Sequence, residues 1–186
     1  MTSPTVLSVT GPIPEFLFNL GIVASIVIAH ELGHYVVGWY VGVPRDRMRI
    51  RLVSARPHVA LRDGDTFRSP TDERYGAILA QYVENDRGRY AYVAGGHALE
   101  LLFVTTVVVT SLAGRVSDLG ARFVWFSLLL AAIYLVVDAI STRRAGRPFG
   151  DGSVMWRMRP YTTIVFYFVF AAVLLSLALL TRLPQG

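Results

Sequence analysis

Four apolar stretches constrain this chain more than any other feature: roughly Phe16–Gly42, Tyr90–Ala113, Ala121–Ser141 and Tyr161–Leu180. As helices, each is long enough to cross about 30 Å of hydrocarbon. With 53% hydrophobic residues, the chain is too apolar for an ordinary soluble domain of its size. The expected fold class is an all-α polytopic membrane protein with about four transmembrane helices, forming one domain over residues 1–186. Residues 1–15 are polar and proline-containing, so poor order is expected there. No Lys or Arg precedes the first stretch, which therefore does not read as a cleaved signal peptide. The absence of cysteine excludes disulfides and thiolate metal sites.

A net charge of +5 raises the question of nucleic acid, and the positions of the charges answer it. Every basic side chain is Arg, and the arginines avoid the apolar stretches. Ten lie between Val43 and Arg89 and five between Arg143 and Arg159, against only Arg115, Arg122 and Arg182 at the opposite ends. By the positive-inside rule the two Arg-rich loops are expected in the cytoplasm and both termini outside. The basic excess is a topology signal, with the lipid bilayer and not nucleic acid as the partner. The expected location is the plasma membrane of a prokaryote.

The first stretch carries His30-Glu31-Leu32-Gly33-His34 in its inner half. The spacing HExxH sets two imidazoles four residues apart, so on a helix both face one way and can hold one Zn²⁺. Glu31 then sits beside the metal as a general base toward water. A charged group at bilayer depth costs on the order of 2.5–3.5 kcal/mol, so such residues rarely persist there without a function. A metal site is the reading that accounts for them.

Residues 43–89 form the one sizeable segment outside the apolar stretches. Arg47, Arg49 and Arg51 alternate with Met48, Ile50 and Leu52, the period of a strand. A second short strand is expected at His58–Arg62, with a turn at Asp63-Gly64, giving a small β-hairpin or sheet. Ser69-Pro70, followed by Asp72 and Glu73, suggests a helix start. Tyr75, Ile78, Leu79, Tyr82 and Val83 recur at helical spacing, so an amphipathic helix is expected on the membrane surface or on the hairpin. Asn85-Asp86-Arg87-Gly88 should end it.

A catalytic zinc commonly has three protein ligands, and HExxH supplies two. His58 and His97 are the other histidines. His58, beside Pro57, reads as a surface residue, so the third ligand is expected to be a carboxylate: Asp151, Asp138 or Glu100. Asp151 follows the inner end of the third stretch, and Asp138 lies near that end. Glu100 and His97 lie a few turns into the second stretch, near the depth of His30 and His34. Each also has a plainer reading. Asp151-Gly152 can be a loop turn, Asp138 can pair with Arg143 or Arg144, and His97 and Glu100 can bond each other.

HELGH in a first core helix, a strand-rich loop, a glycine-containing helix and a later Asp-Gly together resemble the site-2 protease family of intramembrane zinc metalloproteases. The resemblance runs from Phe16 to Trp156, and HELGH is its most specific element. It implies that His30, His34 and Asp151 bind zinc, that Glu31 is the general base, and that the substrate is a transmembrane helix of another membrane protein. Two elements of the family pattern are altered. Arg143 and Gly146 stand where Asn and Pro are expected before Asp151. Gly96-His97-Ala98-Leu99-Glu100 carries Glu at the place of a small or amide residue, which keeps His97 and Glu100 as possible additional members of the site.

The expected function is intramembrane proteolysis, with zinc-activated water and Glu31 moving its proton. The substrate must unwind locally to expose its carbonyls, and pairing with the 47–62 strands is one way to hold it. The main alternative is a non-catalytic zinc-binding membrane scaffold or a transporter, for which Glu31 need not be intact. An iron oxygenase fits less well, because diiron membrane enzymes use many histidines and this chain has four.

Overall fold

The computed structural model describes residues 11–54 and 56–183. The elements run α1 (Pro12–Tyr40), β1 (Met48–Arg51), β2 (His58–Asp63), β3 (Thr66–Arg68), α2 (Tyr75–Tyr82), α3 (Asp86–Ala113), α4 (Ser117–Ala145), α5 (Asp151–Met158) and α6 (Pro160–Leu180). Four helices, α1, α3, α4 and α6, are long and apolar enough to cross a membrane. Residues 1–10 lie outside the described part, but residues 12–15, for which poor order is expected from composition, are the first turn of α1. Pro12 fits there because the first helical N–H needs no partner.

The predicted hairpin is a three-stranded antiparallel sheet in the order β1-β2-β3. Met48 faces Leu61 and Ile50 faces Val59 across the first pair, while Arg49 and Arg51 point outward. The Asp63-Gly64 turn joins β2 to the third strand, which was too short to carry a periodic signal, and Gly64 takes φ +60° in it.

The stretch Ser69–Arg74 makes turns in place of the expected helix start. Ser69 Oγ accepts from Thr71 N and Asp72 Oδ1 accepts from Arg74 N, so these side chains compete with helical bonding. The amphipathic helix α2 begins at Tyr75 and buries Tyr75, Ile78 and Leu79 against the sheet. Asn85 does more than end it: its side chain accepts from Gly88 N at 2.6 Å and caps α3, which starts earlier than the apolar pattern indicates. Helix α4 likewise runs past its apolar stretch to Ala145. Arg143 and Arg144 occupy its last turn, where they oppose the negative end of the dipole, and Gly146 at φ +64° stops it.

Two apolar clusters divide the molecule. One joins Val43, Met48, Val59, Leu61, Ile78 and Met155 around the sheet. The other joins Ile22 and Ile26 of α1, Val104 and Val108 of α3, Val124 of α4 and Leu174 of α6. Between them, on α1 and α3, lie the buried polar residues His30, Glu31, His34, His97 and Glu100. Helices α1 and α3 meet through glycine: a methyl group on Gly33 would stand 2.8 Å from the Gly95 carbonyl carbon and 2.9 Å from Gly96 Cα. Small residues let backbones approach this closely where no hydrophobic force drives helices together.

Candidate metal centre

Helix α1 presents His30 and His34 on one face, and α3 fixes how each ring is turned. His34 Nδ1 lies 3.0 Å from the carbonyl oxygen of Tyr92, which can only accept, so Nδ1 carries the hydrogen. His30 Nδ1 lies 3.1 Å from Glu100 Oε2 and donates in the same way. Ser127 of α4 donates to the other Glu100 oxygen at 2.6 Å, so this carboxylate, 1% exposed, is held on both sides. Both histidines are thereby left with a bare Nε2 when neutral.

The two bare nitrogens face each other. His30 Nε2 and His34 Nε2 are 3.2 Å apart, and Asp151 Oδ2 lies 3.1 Å from the first and 3.2 Å from the second. Three lone-pair atoms in a near-equilateral triangle repel unless a proton or a cation stands among them. Ligands about 2.0–2.1 Å from a tetrahedral zinc are separated from one another by about 3.3 Å, so the triangle fits that ion. Gly96 completes the cradle, since a methyl group there would stand 2.5 Å from His34 Nε2 and 2.7 Å from His30 Nε2.

Asp151 arrives as the first residue of α5, brought in by the chain after α4. Burial opposes its charge, but with His34 and His30 protonated their positive charge outweighs burial and holds the carboxyl well below the usual carboxylate range. Glu31 is 6% exposed, and its Oε2 has no hydrogen-bond partner among the described residues. An unpartnered buried carboxylate oxygen is costly as a structural feature and apt for proton transfer.

His97 is in the site's wall. Its ring meets His30 edge-on at 4.6 Å, the Tyr167 hydroxyl and its Nε2 share a hydrogen bond at 3.1 Å, and its Nδ1 stands 3.4 Å from Glu100 Oε2 without hydrogen-bond alignment. A buried group of His30, His97 and Asp151, with one donor atom of each within 4.8 Å of the others, could hold a metal ion. The triangle that has His34 in place of His97 is the tighter of the two, and among the described residues its nitrogens have no other hydrogen-bond partner.

The three candidate carboxylates separate cleanly. Asp151 meets both Nε2 atoms, and Glu100 lies behind His30 on its Nδ1 side. Asp138 contacts neither histidine and does not pair with Arg143 or Arg144. It accepts instead from the backbone at Gly150 and Ser153. His58 begins β2, half-buried, and donates from Nδ1 to the Arg56 carbonyl at 2.8 Å. Sequence reasoning missed Ser127, Tyr167 and Tyr134, whose ring centroid lies 5.9 Å from that of His30. Each is a polar group inside an apolar stretch, and that was the available signal. No protein-family model, curated protein or solved structure matches the chain.

Proposed function

We propose that this chain is a membrane-embedded zinc endopeptidase that hydrolyses peptide bonds within or next to transmembrane segments of other proteins, in the manner of the site-2 proteases it resembles. One observation carries the reading: His30 Nε2, His34 Nε2 and Asp151 Oδ2 converge within 3.2 Å, with Glu31 next in sequence to the first ligand and one of its oxygens free.

The chain's own groups divide the work. His30 and His34 would hold the metal through Nε2, and Asp151 through Oδ2. Bound zinc supplies positive charge that polarises a peptide carbonyl and acidifies a water. Glu31 is the group that would accept a proton from such a water as the water oxygen bonds to the carbonyl carbon. The same carboxyl then returns the proton to the leaving amide nitrogen as the C–N bond breaks. Glu100 and the Tyr92 carbonyl keep both imidazoles in the tautomer that binds. The apolar clusters on either side keep the reaction away from bulk solvent.

The test is cleavage of co-expressed single-span membrane proteins by wild type and by Glu31→Gln. Wild type is expected to cut at least one of them. Glu31→Gln should keep its zinc and lose about 10²–10⁴-fold in rate, the usual contribution of a positioned acid–base group. A Glu31→Gln protein that cuts as fast as wild type would sink the mechanism.

On this reading the site faces the cytoplasm, which the positive-inside rule applied to the Arg-rich loops supports. Single cysteines at Ser69, Ser117 and Ser153 test it with an impermeant thiol reagent. Only position 117 should label from outside, and labelling at 69 or 153 contradicts the assignment.

A further inference from the structure

Asp138 and Asp151 are thirteen positions apart in sequence and belong to different helices, yet the first determines where the second sits. Helix α5 begins with Gly150 at its N-cap, which has no side chain to accept from the first turn. The carboxylate of Asp138, on α4, does so from outside the helix. Its Oδ1 accepts from Gly150 N at 2.8 Å and from Ser153 Oγ at 2.6 Å, and its Oδ2 accepts from Ser153 N at 2.6 Å. Thr142, one turn along α4, donates to Oδ1 at 3.0 Å, and its Oγ also accepts from Phe149 N at 3.2 Å.

The neighbouring glycines fit the same arrangement. A methyl group on Gly150 would stand 2.8 Å from Asp138 Cγ, and one on Gly152 would stand 3.1 Å from Asp138 Oδ2. Both residues flanking Asp151 thus lack a side chain where Asp138 needs the space. Asp138 is 8% exposed, and among the described residues no arginine lies within ion-pairing distance of it. Its acceptor capacity goes to the turn that carries Asp151.

We propose that Asp138 is a positioning residue: it caps α5 from the neighbouring helix and so holds the Asp151 carboxylate against His30 and His34. The proposal rests on the metal reading only in its consequence for zinc; the capping itself is independent. Arg143 and Gly146, the two departures from the family pattern before Asp151, are compatible with this, because the turn is fixed by Asp138 and not by an amide and a proline.

Asp138→Asn tests it with little change of shape. An amide offers one acceptor oxygen where the carboxylate has two, and its NH₂ group opposes the N–H of Gly150 or Ser153. Two readouts are taken on the full chain in detergent. Hydrogen exchange of the backbone from 149 to 154 should speed up at least tenfold in Asp138→Asn without zinc, while α1 and α3 stay protected. Zinc affinity should fall about 10–100-fold, the range for groups that orient ligands. In an Asp151→Ala background, Asp138→Asn should change zinc affinity less than twofold, because it acts through Asp151. Should Asp138→Asn unfold the chain, Thr142→Val, which removes one donor to Asp138, takes its place with the same signs. Unchanged exchange at 149–154, or equal zinc losses with and without Asp151, would overturn the proposal. If wild type takes up no zinc, the metal reading fails and the exchange result alone decides the cap.

Discussion

Asp151→Ala is expected to weaken zinc binding by more than about a hundredfold, beyond the range seen when only a ligand's supporting group is removed. The variant leaves two neutral imidazoles whose bare nitrogens stand 3.2 Å apart, with no anionic donor to balance a dication. It also removes the carboxylate oxygen that lies within hydrogen-bond distance of both. Glu100 cannot substitute, because its oxygens are engaged by His30 Nδ1 and Ser127 on the far side of the ring. Asp138 cannot either, since it faces the Gly150–Ser153 backbone. Competition against a chelator of known affinity checks this. A loss of less than tenfold would return the third-ligand role to another group.

Gly33→Val is expected to destabilise the helix bundle by about 3 kcal/mol or more, at or above the upper end of ordinary overpacking. The added carbon meets backbone on α3, the Gly95 carbonyl and Gly96 Cα, and backbone cannot swing aside as a side chain can. Relief requires α1 and α3 to separate, which would also pull His34 from the Tyr92 carbonyl. Gly21→Val on the same helix is the control, because nothing lies within 4 Å of a methyl group there. Thermal unfolding in detergent should show a large drop for the first and little change for the second. Equal stability would mean that the crossing is not built on Gly33.

The parts of this fold that sequence reveals are those set by local pattern. Long apolar runs mark α1, α3, α4 and α6, and the His30–His34 spacing marks the ligand face of α1. The period-two run at Met48–Leu52 and the stripe from Tyr75 mark the sheet and α2. What sequence did not reveal depends on contacts between distant elements. Helix α3 begins at Asp86, before its apolar run, because Asn85 caps it and its first turn is polar. Helix α2 begins only at Tyr75 because Ser69 and Asp72 bond their own backbone. Asp138 read as a candidate third ligand or as an ion-pair partner of nearby arginines, and its partners come from a turn that folds back onto α4. Glu100 reads from its position as lying near the depth of His30, and the packing of α1 on α3 turns it to the outer nitrogen of that ring. The order among three candidate carboxylates is a tertiary fact, legible once α5 is seen to enter beside α1.

Zinc counted per chain in detergent-purified protein is the most direct test of the metal centre, with wild type and the His30→Ala/His34→Ala protein measured side by side. The expected result is one zinc per wild-type chain, and less than about a tenth of that in a double variant that still inserts and folds, since Asp151 alone is a single hard donor. Equal zinc in the two proteins, or none in wild type after incubation with the metal, would contradict the account.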